Sequence, residues 1–160
     1  ADIKAANQPK VAPVEKKEPR ATPKLRDACY RLYRQASERC VTKYVQRARR
    51  QLVKFTDAPT FHAWVREFFA DEQKDVHRAF LPATFSMADF VGTDAVALQS
   101  HVDALSRRLT NDLATELLAV SAPDRLTALL DEWEATRADT IATKETDTLI
   151  ARLLPLENAA

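Results

Sequence analysis

One glycine, Gly92, stands in 160 residues, far below the usual share of about 7%. Glycine-rich phosphate loops, primed hairpin turns and dinucleotide fingerprints therefore have no raw material, and an all-α fold is expected. No run of about 18 apolar residues occurs, so no membrane association is expected. Metal-ligand spacing is also missing. His62, His77 and His101 lie 15 and 24 residues apart, and none stands one helical turn from another His or Cys. Neither a metal nor any other cofactor is expected. The two cysteines, Cys29 and Cys40, are eleven residues apart on one predicted helix, about 16 Å along its axis. They cannot bond to each other while that helix is intact. Two isolated thiols behave as small core residues; nucleophilic catalysis through either would need a His brought near by the fold, with the arginines beside Cys40 helping to lower its pKa, and the core reading is preferred.

The proline that is present collects at the front. Residues 1–24 carry Pro9, Pro13, Pro19 and Pro23 among alternating Lys and Glu, a composition that cannot bury enough apolar surface to offset the entropy of ordering. They read as an extended or disordered linker. The first residue is Ala, which suits a piece of a longer polypeptide and removal of an initiator Met equally.

The organising stretch is Leu25 to Phe55, free of Pro and Gly, with the composition of a continuous helix roughly 45 Å long. At 100° per residue, Leu25, Cys29, Leu32 and Ala36 share one face, while Val41, Tyr44, Val45, Ala48, Leu52 and Phe55 lie on the roughly opposite one. The apolar stripe is expected to change sides midway. Beyond the switch the first face carries Arg39, Lys43, Arg47, Arg50 and Lys54, a single basic seam, with Tyr30, Tyr33 and Tyr44 close by.

A second helix of about twenty residues is expected from a cap at Thr56 or Asp57, through Phe61, Trp64, Val65, Phe68, Val76 and Phe80, to a stop at Pro82. The short connection makes residues 25–82 a long antiparallel hairpin. Glu67, Asp71 and Asp75 then form an acidic seam able to pair with the basic one. Residues 82–94 read as a break holding a short helical turn.

The remainder, 83–160, reads as two or three further helices. Thr93 or Asp94 caps one in which Ala95, Leu98, Val102, Leu105, Leu109, Leu113 and Leu117 make a narrow stripe, a seam for a partner helix. Another start signal at residues 121–124 leads to a helix to about Thr136 and a second from Asp139 to Leu154; a single bent helix is the other division.

Charge is partitioned along the chain. Residues 1–24 hold six basic and three acidic side chains, residues 25–56 nine and two, and residues 57–160 nine and eighteen. A basic front facing an acidic back suits pairing within or between chains as well as nucleic acid. For the basic seam, ion pairing is the first reading, contact with a DNA phosphate backbone the second, and a solvated face the third.

Residues 26–82, an Arg-rich helix, a short polar turn and an aromatic helix with Phe61, Trp64, Phe68 and Phe69 closing on Leu81 and Pro82, resemble the C-terminal region of tailed-phage portal proteins. Residues 136–146, TRADTIATKET, resemble in part the RA-x-x-IA-x-TE stretch of Mu-type minor head morphogenesis proteins, through Arg137, Ala138, Ile141 and Ala142, with Lys144 and Glu145 standing for the Thr-Glu pair. The resemblance implies a structural, non-enzymatic part of a portal or head-assembly protein. It would work by helix packing in a homo-oligomer, with other phage head or neck proteins as partners. Its place would be the virion, at the capsid vertex or interior, after assembly in the host cytoplasm. The alternative is a helical module that binds nucleic-acid backbone through Arg39 to Lys54.

Overall fold

The computed structural model describes residues 23–159, and every regular element among them is helical. The first is α1 (Pro23–Val53), followed by α2 (Ala58–Phe69) and α3 (Glu72–Val91). A 3-10 turn (Ala95–Leu98) leads into α4 (Gln99–Leu118); then α5 (Pro123–Glu132), a π-helical turn (Trp133–Arg137) and α6 (Ala138–Ala159) form one continuous rod. Almost all of the linker reading lies outside the described residues. Its last two residues, Pro23 and Lys24, belong to α1, with Pro23 at the first helical position, where a missing N–H costs nothing.

The helices alternate in direction. Tyr33 meets Thr84 while Lys43 meets Asp75, so α1 and α3 form the antiparallel hairpin. His77 meets Asp103 across α3 and α4, and Arg108 meets Glu145 while Arg137 meets Glu116 across α4 and the final rod. Finally Arg26 reaches Asp147 and Arg49 reaches Asp131, which sets the final rod antiparallel to α1. The result is an up-down-up-down four-helix bundle with one buried core.

Local signals explain the helix starts. Asp57 accepts from the Thr60 N–H at 2.8 Å, and Asp94 accepts from the Val96 N–H at 3.0 Å, so each caps the helical segment that follows. Gly92 ends α3 with a φ of 78°, a left-handed conformation in which a Cβ is strained.

Three expectations are corrected. The apolar stripe of α1 does not switch sides. Its buried residues run Leu25, Cys29, Tyr33, Ala36, Cys40, Tyr44 and Ala48, joined by Ser37, Val41 and Val45. Tyr33, Ser37 and Cys40 bridge the supposed gap, and the stripe drifts gradually around the helix. Pro82 does not stop the second helix; it sits inside α3, exposed to solvent. Pro82 has no N–H for the Arg78 carbonyl, but Phe80, Ala83, Thr84, Met87 and Ala88 are buried around it, and that burial outweighs the lost bond. Residues 82–91, read as a break, are therefore helix. The real interruption comes earlier, at Ala70–Asp71, between α2 and α3.

The final rod follows the single-helix division, and it runs on through Pro155 to Ala159. Its buried positions step 126, 130, 133, 138, 142, 145, 149 and 153. The step of five between Trp133 and Ala138 is absorbed by the π-helical turn. Thr136 and Thr140 donate their hydroxyls back to the Glu132 and Thr136 carbonyls at 3.1 Å, so the Thr-rich join stays helical.

Buried polar groups fix the register. Thr84 donates to the Phe80 carbonyl, which leaves Tyr33 as donor to Thr84 at 2.7 Å. His101 is buried on α4 with no hydrogen-bond partner for Nε2. Burial first, then the positive charges of Arg152 and Arg108, push its pKa down to about 4.

Two outcomes are expected. Pro82→Ala raises the free energy of unfolding by about 1–3 kcal/mol by restoring the helix bond, as measured by urea titration; unchanged or lower stability contradicts the account. Between the unfolded His value of 6.5 and the folded value of about 4, the unfolded chain binds a proton that the folded chain refuses. Stability therefore falls as pH drops through that window. His101→Leu reduces this slope by up to about 1.4 kcal/mol per pH unit, and an identical slope in both proteins refutes it.

Candidate basic interaction surface

Helix α1 is basic all along its length, and the bundle treats its two flanks differently. On the flank facing the final rod, Arg26 and Arg49 are matched. Arg26 pairs with Asp147, Arg49 bridges Asp131 and Glu134 at 2.9 Å each, and the Tyr30 hydroxyl donates to Asp139.

On the flank facing α3 lies the seam Arg39, Lys43, Arg47, Arg50 and Lys54. Lys43 alone among these has carboxylate partners among the described residues: Asp75 at 2.5 Å and Glu72 at 2.9 Å. Burial disfavours its charge, but the contacts with Asp75 and Glu72 outweigh burial and hold its pKa above the ordinary value. The hydrogen bond from Lys43 keeps Asp75 below the usual carboxylate range. Asp75 also accepts from Arg78 at 2.6 Å. Of the expected acidic seam, only Asp75 meets the basic one; Glu67 and Asp71 make no ion pair among the described residues.

Arg47 lies over the Phe68 ring at 5.9 Å, with Lys43 at 5.8 Å. Phe68 ends an aromatic column in which Trp64 stacks on Phe68 at 5.0 Å and on Phe61 at 5.9 Å, and Phe61 meets Phe55 at 5.5 Å. Of the tyrosines expected beside the seam, Tyr44 stays next to it, lining a notch with Arg39 and Lys43 and meeting Phe68 edge-on at 5.9 Å. Tyr33 and Tyr44 are in the core, and Tyr30 points toward the final rod. Arg39, Arg47, Arg50 and Lys54 are exposed. Arg39 lines two notches between α1 and α3, one with Lys43 and Arg78, the other with Leu32, Pro82 and Ser86.

Glu72 is the contributor that the sequence pattern missed. It is 7% exposed and falls outside the four-residue steps of Glu67, Asp71 and Asp75; the α2–α3 interruption changes the phase and turns it toward Lys43.

The second expected seam, Leu98, Val102, Leu105, Leu109, Leu113 and Leu117, is buried in the core of its own chain. Its neighbours are α3 and α2, and the final rod is reached through the Arg108–Glu145 and Arg137–Glu116 pairs. A charged clamp closes the bundle at the π-helical turn. Arg137 makes paired bonds to Glu116 at 2.6 and 2.9 Å, Trp133 Nε1 donates to Glu116 at 3.2 Å, and the Arg137 guanidinium lies over the Trp133 ring.

Cys29 and Cys40 are buried free thiols. Burial pushes Cys29 up to about 11, against weaker lowering by Thr146 and Arg26, and pushes Cys40 up to about 12. Among the described residues no group of three or more His, Cys, Asp or Glu is placed to hold a metal ion, and no helix is long and apolar enough to cross a membrane. Comparison with family models, curated proteins and solved structures gave no match.

Because a thiolate is the reactive form, iodoacetamide at neutral pH is expected to label Cys29 and Cys40 slowly in the native chain and rapidly in urea. Fast native labelling of either residue, followed by mass spectrometry, contradicts their core placement.

Proposed function

We propose that the chain is a structural, non-enzymatic segment of a tailed-phage portal or head-assembly protein that works as one copy in a homo-oligomer. The sequence likeness of residues 26–82 supports the family, and the all-helical architecture is compatible with it. The carrying observation concerns the ends of the bundle. The apolar stripes are closed inside, yet Phe90 and Val96 are 52% and 67% exposed at one end, and Val53 is 89% exposed at the other. The antiparallel register places Phe90 and Val96 where α1 begins and Val53 where it finishes.

Exposed apolar side chains at both ends suit contact with neighbouring copies or with other head or neck proteins. Since Leu98 to Leu117 are occupied within the chain, oligomer packing in this reading uses the bundle ends. In this role the protein needs no cofactor. Its place is the virion, at the vertex or interior of the capsid, after assembly in the host cytoplasm.

Light scattering across a concentration series tests the proposal. The expected result is a mass that climbs above one chain with concentration, and that falls back in the double variant Phe90→Ser, Val96→Ser. A strict monomer at the highest concentration, or a double variant that associates as strongly, removes the support.

A further inference from the structure

We infer that the α1–α3 edge is a docking track for the phosphodiester backbone of a nucleic acid, held by Arg39, Arg47, Arg50 and Lys54 without base readout. The starting point is an imbalance. The chain's acidic excess lies in its back half, and the bundle brings part of it against α1, on the flank that faces the final rod and, on the other, at Lys43 alone among the seam cations. The opposite flank keeps four exposed cations with no carboxylate partner among the described residues. Among the described residues, internal pairing, the simplest use for such a seam, is thus restricted to Lys43.

The carboxylates on α2, the joint and the first turn of α3 are Glu67, Asp71, Glu72 and Asp75, the remaining one on α3, Asp89, being at its far end. Glu72 and Asp75 are tied to Lys43, and Asp75 also to Arg78, so two of the four are neutralised where α3 packs on α1. Arg39, Lys43 and Arg78 converge on one notch of the groove.

Geometry favours an extended polyanion over a single anion. From Arg39 to Lys54 the seam runs about 23 Å at 1.5 Å per residue, with the cations along one line. Three of the four are arginines, whose planar guanidinium forks suit phosphate oxygens. Arg47 lies over the Phe68 ring, its guanidinium carbon 5.9 Å from the centroid, a cation–π contact that favours one placement of the side chain. An acidic protein segment is the competing occupant. Its carboxylates sit on side chains at secondary-structure spacing, whereas a sugar-phosphate strand offers an unbroken line of charge at any register. The inference goes beyond the assembly reading, because it uses a different surface and survives if the chain is a monomer.

The test is fluorescence anisotropy with the full chain, a labelled mixed-sequence DNA duplex and, separately, its single strand, between about 50 and about 200 mM salt. Four phosphate contacts give a slope of log affinity against log salt of about −3.6 on duplex and about −2.8 on a single strand. Duplex binding therefore weakens by roughly a hundredfold over that range. The variant Arg39→Gln, Arg47→Gln, Arg50→Gln, Lys54→Gln leaves Lys43 in place, so circular dichroism is expected to stay unchanged while binding and its salt slope are lost. A control with equal charge loss, Arg66→Gln, Lys74→Gln, Arg107→Gln, Arg125→Gln, keeps most of the slope.

Four results would overturn the inference. One is equal loss in seam and control variants, which reduces binding to net charge. Another is polyglutamate binding as tightly as either DNA, which makes the seam a surface for acidic protein. The third is a native slope near zero. A fall in oligomer mass in the seam variant, with no DNA binding in the native chain, assigns the edge to a second copy instead.

Discussion

The bundle depends on the apolar stripe of α1 needing cover from two directions. Leu25, Cys29, Tyr33, Cys40, Tyr44 and Ala48 are each no more than 5% exposed, and the stripe drifts around the helix, so one neighbour cannot shield all of it. The hairpin return through α3 covers one side and the last rod in the chain covers the other. Each large side chain removed from water contributes roughly 1.5–3 kcal/mol, so the geometry of α1 decides where both partners lie. The remaining helix, α4, closes the fourth side with its leucine stripe.

Polar groups then choose among the packings that burial allows. The Tyr33–Thr84 hydrogen bond has to be made once those atoms leave water. Glu145, 3% exposed, is held by Arg108 at 2.6 Å; a buried carboxylate left without its partner is costly. These contacts reject a slipped register more strongly than they stabilise the correct one. The exposed ion pairs, such as Arg26–Asp147, contribute little, about 0–1 kcal/mol each. Their consequence is a charge asymmetry on α1: among the described residues Arg26 and Arg49 are matched on one flank, whereas in the seam on the other only Lys43 is, and that seam is the surface on which a function of this chain can be tested.

Reading the sequence succeeded where a single residue type carries a local rule. Asp57 and Asp94 cap because a short carboxylate can reach the first free N–H groups. Leu98 to Leu117 are buried because their spacing matches one helical face. It failed where local rules conflict with packing. Pro82 looks like a stop, yet an exposed proline survives in a helix whose other positions are well buried. Tyr33 and Cys40 were not counted as the bridge of the α1 stripe, and without them the stripe seems to jump. At the Thr- and Asp-rich join near Thr136 the sequence left two helices or one bent helix open, and the π-helical turn Trp133–Arg137 decides for one rod.

From composition and periodicity alone came the helical class, the hairpin and the location of positive charge, because these follow from propensity, spacing and residue identity along one segment. The destination of each charge was beyond reach of the sequence. Whether Lys43 finds Asp75, or Arg50 finds no carboxylate among the described residues, depends on which residues of α3 and the final rod arrive beside α1. That is set by the joint at Ala70–Asp71 and the π-helical turn at Trp133–Arg137, two phase shifts whose effect exists only after the helices have packed.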